Sequence, residues 1–392
     1  MELYILNPSL QIEGMVDDAE SKLWRKPYND AGECEIYSPY TEELHALLRK
    51  GNYIYRFDDD MACIIVDVHI TTDIEEGDYI TATAKDVCTI LSGRIVRWPV
   101  AFSGAVGNFI GKLLSDNVVN ANPAYRSIEN FRVDEASLST VTANIEASVQ
   151  TEDLLTLIIA VCKSAGCGFR VRVDIAEGVF VFALYEGLNR TTGDGYVEFS
   201  PDFANILDTD YHENDENYKN VVYVGYKDEA EKLQLLSVYR DGVEPRGIDR
   251  KEVYIDGTGT SREITFEELR SMYPKCEESG VVVWNDNTRS FEIATVEGSG
   301  EEKKYTVRDV VYVRLIKRLG TEAFENYGQT QEFSGTVDTV DTYAYKEDYN
   351  IGDIVVAANR YGISVPARIA EIMESEDNED GYQVEPVFEF YN

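Results

Sequence analysis

The chain has 392 residues, of which 44% are hydrophobic, enough for two to four separate cores. Its 72 Asp and Glu outnumber 36 Lys and Arg, and the formal net charge of −36 makes DNA, RNA and anionic lipid poor partners, because phosphate binding requires basic side chains. No apolar run approaches the roughly 20 residues of a membrane span, and the N-terminus lacks the basic and apolar regions of a secretory signal.

The first 100 residues alternate between short strand-like runs and turns. Leu3–Leu6 is the first predicted strand, and a later strand places Cys34 and Ile36 inward between glutamates. Thr41 is a suitable N-cap for one short helix, since its hydroxyl accepts a hydrogen bond from the first turn. Many short strands at this spacing predict a small barrel or sandwich for residues 1–100, of which we adopt the barrel.

Residues 101–195 have stronger helical periodicity. Gly107–Val119 carries apolar side chains on one helical face, and a second helix begins near Thr151 and stops near Gly166. A hairpin follows, with strands at Phe169–Val173 and Val179–Leu184. This segment is predicted to be an accessory α+β domain.

The remaining sequence returns to strands with one interruption. Residues 196–240 and 331–392 are predicted to form a second small barrel together. Between them, residues 241–330 read as an inserted α+β domain with helices at Thr265–Met272 and Val307–Tyr327.

The last forty residues show the clearest strand pattern. Ile354–Ala358 is a strand, the run from Ile363 to Ala370 alternates, and Tyr382–Tyr391 alternates again after a turn at Asn378–Gly381. Period-two alternation broken by Asn, Asp and Gly predicts an antiparallel meander with one buried face, which closes a domain. The fold class is therefore mainly β with α+β insertions, containing two small β-barrels and accessory α+β domains.

No metal or cofactor site is predicted. The sequence has six cysteines, at Cys34, Cys63, Cys88, Cys162, Cys167 and Cys276. Because they lack the spacing of a disulfide framework, we expect reduced, buried side chains and synthesis in a reducing cytoplasm. Cys162 and Cys167 have no second Cys/His pair nearby, so structural zinc is not expected. The three histidines are far apart in sequence.

Acidic side chains give no catalytic assignment either. Asp58–Asp60 and Asp377–Asp380 lack the spacing of a calcium loop and are expected to be solvated loop tips, with weak divalent-cation binding as the alternative. The sequence has no nucleophile elbow and no phosphate-binding loop. A pair of carboxylates for glycoside hydrolysis remains open, but 72 acids guarantee that some pair lies close together. No catalytic, cofactor-binding or metal-binding residue is predicted.

An ordered set of short motifs covers most of the chain, with an apparent insertion at about 255–300. The motifs are Tyr4–Asn7, Gly14–Asp17, Leu23–Tyr28, Gly32–Ile36, Leu47–Ile54, Ala62–Val68, Lys85–Val96, Phe199–Ser200, Tyr218–Val221, Asp348–Val355 and Arg368–Ile372. In this order they resemble the hub proteins of siphophage-type tail tips.

This resemblance implies a structural role in a virion. In that family, two tube-like barrels per chain form, in a homotrimer, a pseudo-sixfold ring that continues the tail tube. Expected partners are the tail tube, the tape measure protein, the distal tail protein and a fibre or spike protein. A negative lumen would let DNA pass without sticking. Many family members carry a peptidoglycan hydrolase after the hub, and the end of this sequence at Asn392 predicts a chain without enzymatic activity.

Two other functions stay open at this point. One is a tail-associated cell-wall hydrolase that uses paired carboxylates. The other is a carbohydrate-binding receptor module, which the 26 tyrosines would serve.

Overall fold

The computed structural model describes residues 1–17, 19–74, 77–149, 151–203, 205–274, 276, 282–285, 288–297, 303–337, 343–379 and 381–391. The chain divides into two compact units, Met1–Tyr211 with Glu332–Asn392, and His212–Gln331. Each unit is described on its own.

The first unit begins with the predicted run of short strands. Their bounds are β1 Leu3–Leu6, β2 Ile12–Val16, β3 Ser21–Pro27, β4 Glu33–Pro39, β5 Tyr53–Tyr55, β6 Ala62–Asp73 and β7 Gly77–Asp86. Helix α1 spans Glu42–Leu47 and is capped by Thr41, as predicted, because the Thr41 hydroxyl accepts a hydrogen bond from the Leu44 N–H. A 3₁₀ helix at Val87–Gly93 ends this region.

The accessory segment combines short strands with helices. It contains β8 Val100–Ala105, α2 Val106–Leu114, β9 Phe131–Val133, α3 Glu135–Leu138, β10 Asn144–Val149, α4 Leu154–Ala165, β11 Gly168–Asp174 and β12 Val179–Tyr185. A π-helical turn at Ser115–Val119 continues α2, and a 3₁₀ turn spans Ala124–Arg126. Helix α4 ends at Gly166, whose φ of +67° is the left-handed conformation that glycine adopts without strain. Both predicted helices and the predicted hairpin are present.

Further strands and helices make up the remainder of the chain. Their bounds are β13 Glu198–Phe199, β14 Ile206–Asn214, β15 Val221–Lys227, β16 Leu233–Tyr239, β17 Glu252–Asp256, β18 Glu263–Ile264, α5 Phe266–Met272, β19 Val282–Asn285, β20 Thr288–Glu292, β21 Ala294–Glu297, β22 Lys304–Val307, α6 Asp309–Glu322, β23 Thr330–Val337, β24 Ile354–Ala358, β25 Ser364–Asp377 and β26 Gly381–Phe390. Short 3₁₀ helices lie at Pro201–Phe203, Arg240–Gly242, Gly247–Asp249 and Ala323–Tyr327.

Strand β25 joins the beginning of the chain to its end. Its residues Glu371–Asp377 pair with β3, its residues Ser364–Arg368 pair with β24, and β26 runs along it from Ala367 to Asp377. The main sheet of the described residues therefore runs in the order β14-β23-β26-β25-β3-β4-β7-β6-β5-β1-β2, with β13 and β24 attached beside β25. The mainly β fold class is confirmed. These strand pairs do not close into a barrel at either end, so the architecture of two tube-like barrels stays a prediction.

Two separate hydrophobic clusters lie on this one sheet. The first contains side chains from residues 3–84, among them Trp24, Cys34 and Ile36, which are fully buried as the alternation predicts. The second contains side chains from Tyr28 and residues 197–388, among them Phe199 and Phe388. We call the strands around these clusters the N-terminal block and the C-terminal block. A third cluster lies around α2 and α4 of the accessory segment and also includes Leu6, Leu10 and Ala62.

The second unit, His212–Gln331, is built on a three-stranded sheet. β15 pairs with β16 in antiparallel fashion and with β17 in parallel fashion, and Val222, Val224 and Val238 share a cluster with residues of α6. The sequence division placed β15 and β16 with the second barrel because their alternation reveals strands but not strand partners. Their pairing with β17 and their packing against α6 place them in this unit instead. The four-domain division otherwise stays a prediction.

A bulge interrupts the terminal meander. The register of β25 against β26 shifts between Ile369 and Glu371, so the buried face continues through Ile372 and Glu374. The predicted run stopped at Ala370, before this shift, and the observed strand extends to Asp377. Asp380 of the predicted turn lies outside the described residues.

Candidate functional site

The most elaborate polar feature of the first unit is a partly buried group of charges where β3, the β5–β6 turn and β25 meet. We call it the ionic cluster, and its members are Lys26, Arg56, Asp58, Asp59, Lys346 and Glu374. All of them lie in the first unit.

Lys26 enters the cluster because of its position on β3. Period-two alternation on this strand turns Lys22, Trp24 and Lys26 to the buried side. The Lys26 ammonium donates to Asp59 Oδ1 at 2.9 Å and also contacts the Asp60 carboxylate. Burial of an ammonium group requires such partners, since an unpaired buried charge is strongly disfavoured.

Arg56 connects the N-terminal block to β25. Its Nε and Nη2 donate to the two carboxylate oxygens of Asp58 at 2.9 and 2.6 Å, and Nη2 also donates to Glu374 Oε2 at 2.9 Å. The guanidinium carbon lies 5.3 Å from the centre of the Trp24 ring. Glu374 stands opposite Trp24 in the β3–β25 ladder and accepts a further hydrogen bond from the Tyr382 hydroxyl.

Lys346 covers the acidic turn from the opposite side. Its Nζ lies 2.7 Å from the Asp58 carbonyl oxygen, 3.2 Å from Asp58 Oδ2 and 3.3 Å from Asp59 Oδ2. The backbone of Lys346 has a φ of +73°, a left-handed conformation that is uncommon for a residue with a Cβ. In this conformation the Lys346 side chain contacts Asp58 and Asp59 of the turn.

A second buried pair adjoins the cluster. Arg170 on β11 lies 3.3 Å from Asp86 through Nη1, and its Nη2 donates to the Pro27 carbonyl and to the Tyr185 hydroxyl at 3.0 and 2.9 Å. Its Nε lies 4.0 Å from Asp60 Oδ1. The accessory segment is therefore tied to β3 by a hydrogen bond, and by charge to the end of β7 and to the β5–β6 turn.

The cluster sets the ionisation of its carboxyl groups. Burial by itself would raise the pKa of Asp59, but the ammonium groups of Lys26 and Lys346 hold that pKa well below its usual value. Hydrogen bonds from Arg56 lower the pKa of Asp58 to about 2. Asp86 behaves in the opposite way, because complete burial raises its pKa despite the nearby Arg170.

This arrangement does not fit hydrolysis by paired carboxylates. Such a reaction needs one carboxyl kept protonated by a raised pKa beside a second that is ionised. Asp58 and Asp59 both have lowered pKa values and both accept salt bridges, so neither is a general acid near neutral pH. Asp86 has the raised pKa, but its side chain is fully buried against Arg170.

An open cleft of about 580 Å³ lies over the cluster. Its walls include the rings of Phe57, Tyr185 and Tyr345. Each acid at the base of the cleft already contacts an ammonium or guanidinium group. These carboxylates are therefore not available together as ligands for a cation. The geometry is that of a junction which holds three parts of the unit together.

The acidic turn is only partly the predicted solvated loop tip. The Asp58 and Asp60 side chains are exposed, as predicted, whereas the Asp59 side chain is fully buried and paired with Lys26 and Lys346. The triple-Asp sequence signals acidity but does not show that lysines from β3 and from residue 346 converge on it. Glu374 was missed for a related reason, since the bulge before it hides its inward position.

The remaining sequence-based interpretations concern single residues. All six cysteines are buried and unpaired, as predicted. His45 is exposed beside Tyr40, and no group of three or more His, Cys, Asp or Glu side chains within the described ranges is arranged to hold a metal ion. Within those same ranges, no helix is both long enough and apolar enough to cross a membrane.

The model of the family described as Siphovirus ReqiPepy6 Gp37-like protein matches residues 2–388. The chain belongs to this family. The match spans both blocks of the main sheet, the accessory segment and the second unit, and it confirms the resemblance to a siphophage tail family that the sequence motifs indicated.

Three solved structures of tail proteins are similar to this chain along nearly its whole length. A tail protein from Neisseria meningitidis MC58 is similar over 99% of this chain and 96% of its own, with 10% identity and a TM-score of 0.53. A 43 kDa tail protein of prophage MuSo2 from Shewanella oneidensis is similar over 99% and 98%, with 9% identity and a TM-score of 0.49. Prophage tail protein gp18 from Listeria monocytogenes is similar over 99% and 94%, with 12% identity and a TM-score of 0.47. No curated protein matches this sequence. At 10% identity, the Neisseria similarity establishes a shared fold for the family member described here.

Proposed function

We propose that this protein is a structural hub of a phage tail tip or baseplate. Three copies form a ring that continues the tail tube, and the ring connects the tube to the distal tail protein and to a fibre or spike protein. The chain is made in the host cytoplasm, takes its place at the tail tip of the virion and performs no catalysis.

The observation that carries this proposal is the pair of β blocks in one chain. Each block has its own hydrophobic cluster, and β25 hydrogen-bonds the two into one sheet. Three chains with two blocks each supply six blocks, which suits a sixfold tube as neighbour. Membership of a siphovirus family and the fold shared with a tail protein support the same proposal.

The charge of the chain suits a channel for genome passage. The net charge of −36 would repel the phosphates of DNA, so DNA in a lumen lined by this protein would slide past its wall. The tape measure protein would leave through the same channel. Sequence-specific DNA recognition has no place in this function.

Mass measurement tests the ring first. The purified chain of 44.3 kDa should form a species of about 133 kDa, three times the chain mass, at micromolar concentration or in the presence of the distal tail protein. Microscopy of whole particles should then show three copies at the tail tip. A chain that stays monomeric with that partner and is missing from purified particles would overturn the proposal.

A further inference from the structure

A second cavity lies in the accessory segment, away from the ionic cluster. It has a volume of about 200 Å³ and is bounded by the segment that precedes β8, by the turn that follows α2 and by the loop at Asn120–Arg126. It shares no lining residue with the cleft over the ionic cluster. Its size suits a ligand of one six-membered ring.

The turn at the base of this cavity is a π-helical turn. Helix α2 continues into Ser115–Val119 with wider hydrogen bonding, a distortion that recurs at functional sites. Asn117 on this turn is 96% buried, and its Nδ2 donates to the Leu113 carbonyl at 3.0 Å. Its Oδ1 accepts no hydrogen bond from any described residue, although the side chain contributes to the cavity wall. An amide oxygen without a protein donor at a cavity is an acceptor for a ligand donor.

The rest of the wall is rich in planar polar groups. Besides Asn117, it includes the amides of Asn120 and Asn122, the carboxylate of Asp116 and the guanidinium of Arg126. Amides, carboxylates and guanidinium groups present two polar atoms in one plane, which matches the spacing of neighbouring hydroxyl groups on a sugar ring.

One aromatic ring completes the cavity. The side chain of Trp98 is 68% exposed, and the guanidinium carbon of Arg97 lies 5.1 Å from its centre. An exposed indole in a polar pocket offers a flat apolar face for the C–H side of a pyranose, while the surrounding polar groups fix its hydroxyls.

The charge of the chain as a whole opposes an anionic ligand. The formal net charge is −36, whereas the cavity wall itself holds the guanidinium groups of Arg97 and Arg126 beside the Asp116 carboxylate. One N–H of each guanidinium is engaged, because Arg97 Nη1 donates to the Asn122 carbonyl at 3.2 Å and Arg126 Nη2 donates to the Ile95 carbonyl at 2.8 Å. Their remaining N–H groups can donate to the hydroxyls of a neutral ligand, and inorganic phosphate is the competing anionic probe.

We propose that this cavity binds one neutral pyranose unit of a glycan, with Trp98 stacking on the ring and Asn117 accepting a hydrogen bond from a hydroxyl. The site is independent of the ring that the hub function requires. A single sugar in a small open pocket should bind with a dissociation constant on the order of 1 mM, and several copies in one particle would add avidity.

Saturation-transfer NMR on the full chain tests the site. The probes are the methyl glycosides of glucose, galactose, mannose and N-acetylglucosamine, with inorganic phosphate as the anionic probe. At least one glycoside should bind at millimolar concentration, and Trp98→Ala should weaken that binding at least about tenfold. Asn120→Ala, at an exposed position of the wall, should weaken it severalfold.

The matched control is Tyr361→Ala. Tyr361 is 77% exposed and carries a stacked arginine, Arg360, at 5.5 Å, yet it lies outside the cavity wall, so this change should leave sugar binding intact. The proposal is overturned if no glycoside transfers saturation at about 50 mM, if phosphate displaces the bound sugar, or if the Trp98→Ala protein binds as the parent does.

Discussion

Arg56 and Glu374 are 318 positions apart in the sequence and form a buried ion pair, with 2.9 Å between Nη2 and Oε2. Arg56 is 2% exposed and Glu374 is fully buried, so each charge depends on the other for compensation. The pair fastens the N-terminal block to the strand that also belongs to the C-terminal block.

Removal of one partner should therefore be costly. Glu374→Gln leaves Arg56 with Asp58 alone and should lower the free energy of unfolding by about 3–5 kcal/mol, the range for a broken buried pair. Urea denaturation measures the change. The control is Glu371→Gln on the same strand, since Glu371 pairs with the half-exposed Arg25 and should cost about 1 kcal/mol or less. Equal losses in the two variants would contradict the assignment of the Arg56–Glu374 pair as a buried fastening.

The lowered pKa values of Asp58 and Asp59 predict a loss of stability in acid. A carboxyl whose pKa is lower in the folded chain stabilises it fully above the unfolded pKa of 3.8 and loses that contribution as pH falls through the folded pKa, about 2 for Asp58. Asp59→Asn should have a clearly lower free energy of unfolding than the parent protein at pH 7. This difference should become smaller below about pH 4. Unfolding at a series of pH values measures it, with exposed Asp67→Asn as a control that should show little gap. If the difference between Asp59→Asn and the parent stays constant down to about pH 2, the ionised Asp59 carboxylate is not the source of the added stability.

Lys346 should hold its own segment against the acidic turn. Lys346→Met removes the contacts with Asp58 and Asp59 and should increase amide hydrogen exchange across residues 343–350. The loss of global stability should be smaller than for Glu374→Gln, because Lys346 is about one-third exposed. Lys163→Met, at an exposed ion pair with Asp30, serves as control and should leave exchange in 343–350 unchanged. Unchanged exchange in the Lys346 variant would show that other contacts hold the segment.

Two glycines test the close backbone approaches of the first unit. A Cβ at Gly107 would lie 1.9 Å from the Leu138 carbonyl oxygen, and one at Gly187 would lie 1.8 Å from the Gly352 carbonyl oxygen. Alanine at either position should lower stability by about 1–3 kcal/mol or more, because backbone must move. Gly93→Ala meets no atom within 4 Å and should change the melting temperature little. A melting temperature for either test variant equal to that of Gly93→Ala would rule out the close approach.

Local features of the fold followed from sequence where the deciding atoms are neighbours. Thr41 caps α1 and Gly166 ends α4 because capping depends on residues a few positions away. Cys34 and Ile36 are buried because alternation continues without a break along β4. These signals are short-ranged, and no partner strand is needed to interpret them.

Features that depend on distant partners did not follow from sequence. Val222 and Val224 mark β15 as a strand, but its neighbour β17 is set by packing against α6. Asp59 is a buried acid only because Lys26 and Lys346 reach it from positions far along the chain. Asn117 belongs to no recognisable sequence motif. The position of its Oδ1 at the cavity depends on the π-helical turn, and α-helical periodicity predicts a regular helix there instead.

The pairing of β3 with β25 has a consequence for synthesis on the ribosome. Pro27 pairs with Glu371, so this edge of β3 stays unpaired until residues 344 positions later have been synthesised. At about 5–20 residues per second, that delay is roughly 20–70 s. During translation the N-terminal strands emerge with an unprotected edge, the kind of surface on which chains of one polysome associate. A nascent chain of this protein should therefore depend on chaperone cover until its last strands leave the exit tunnel.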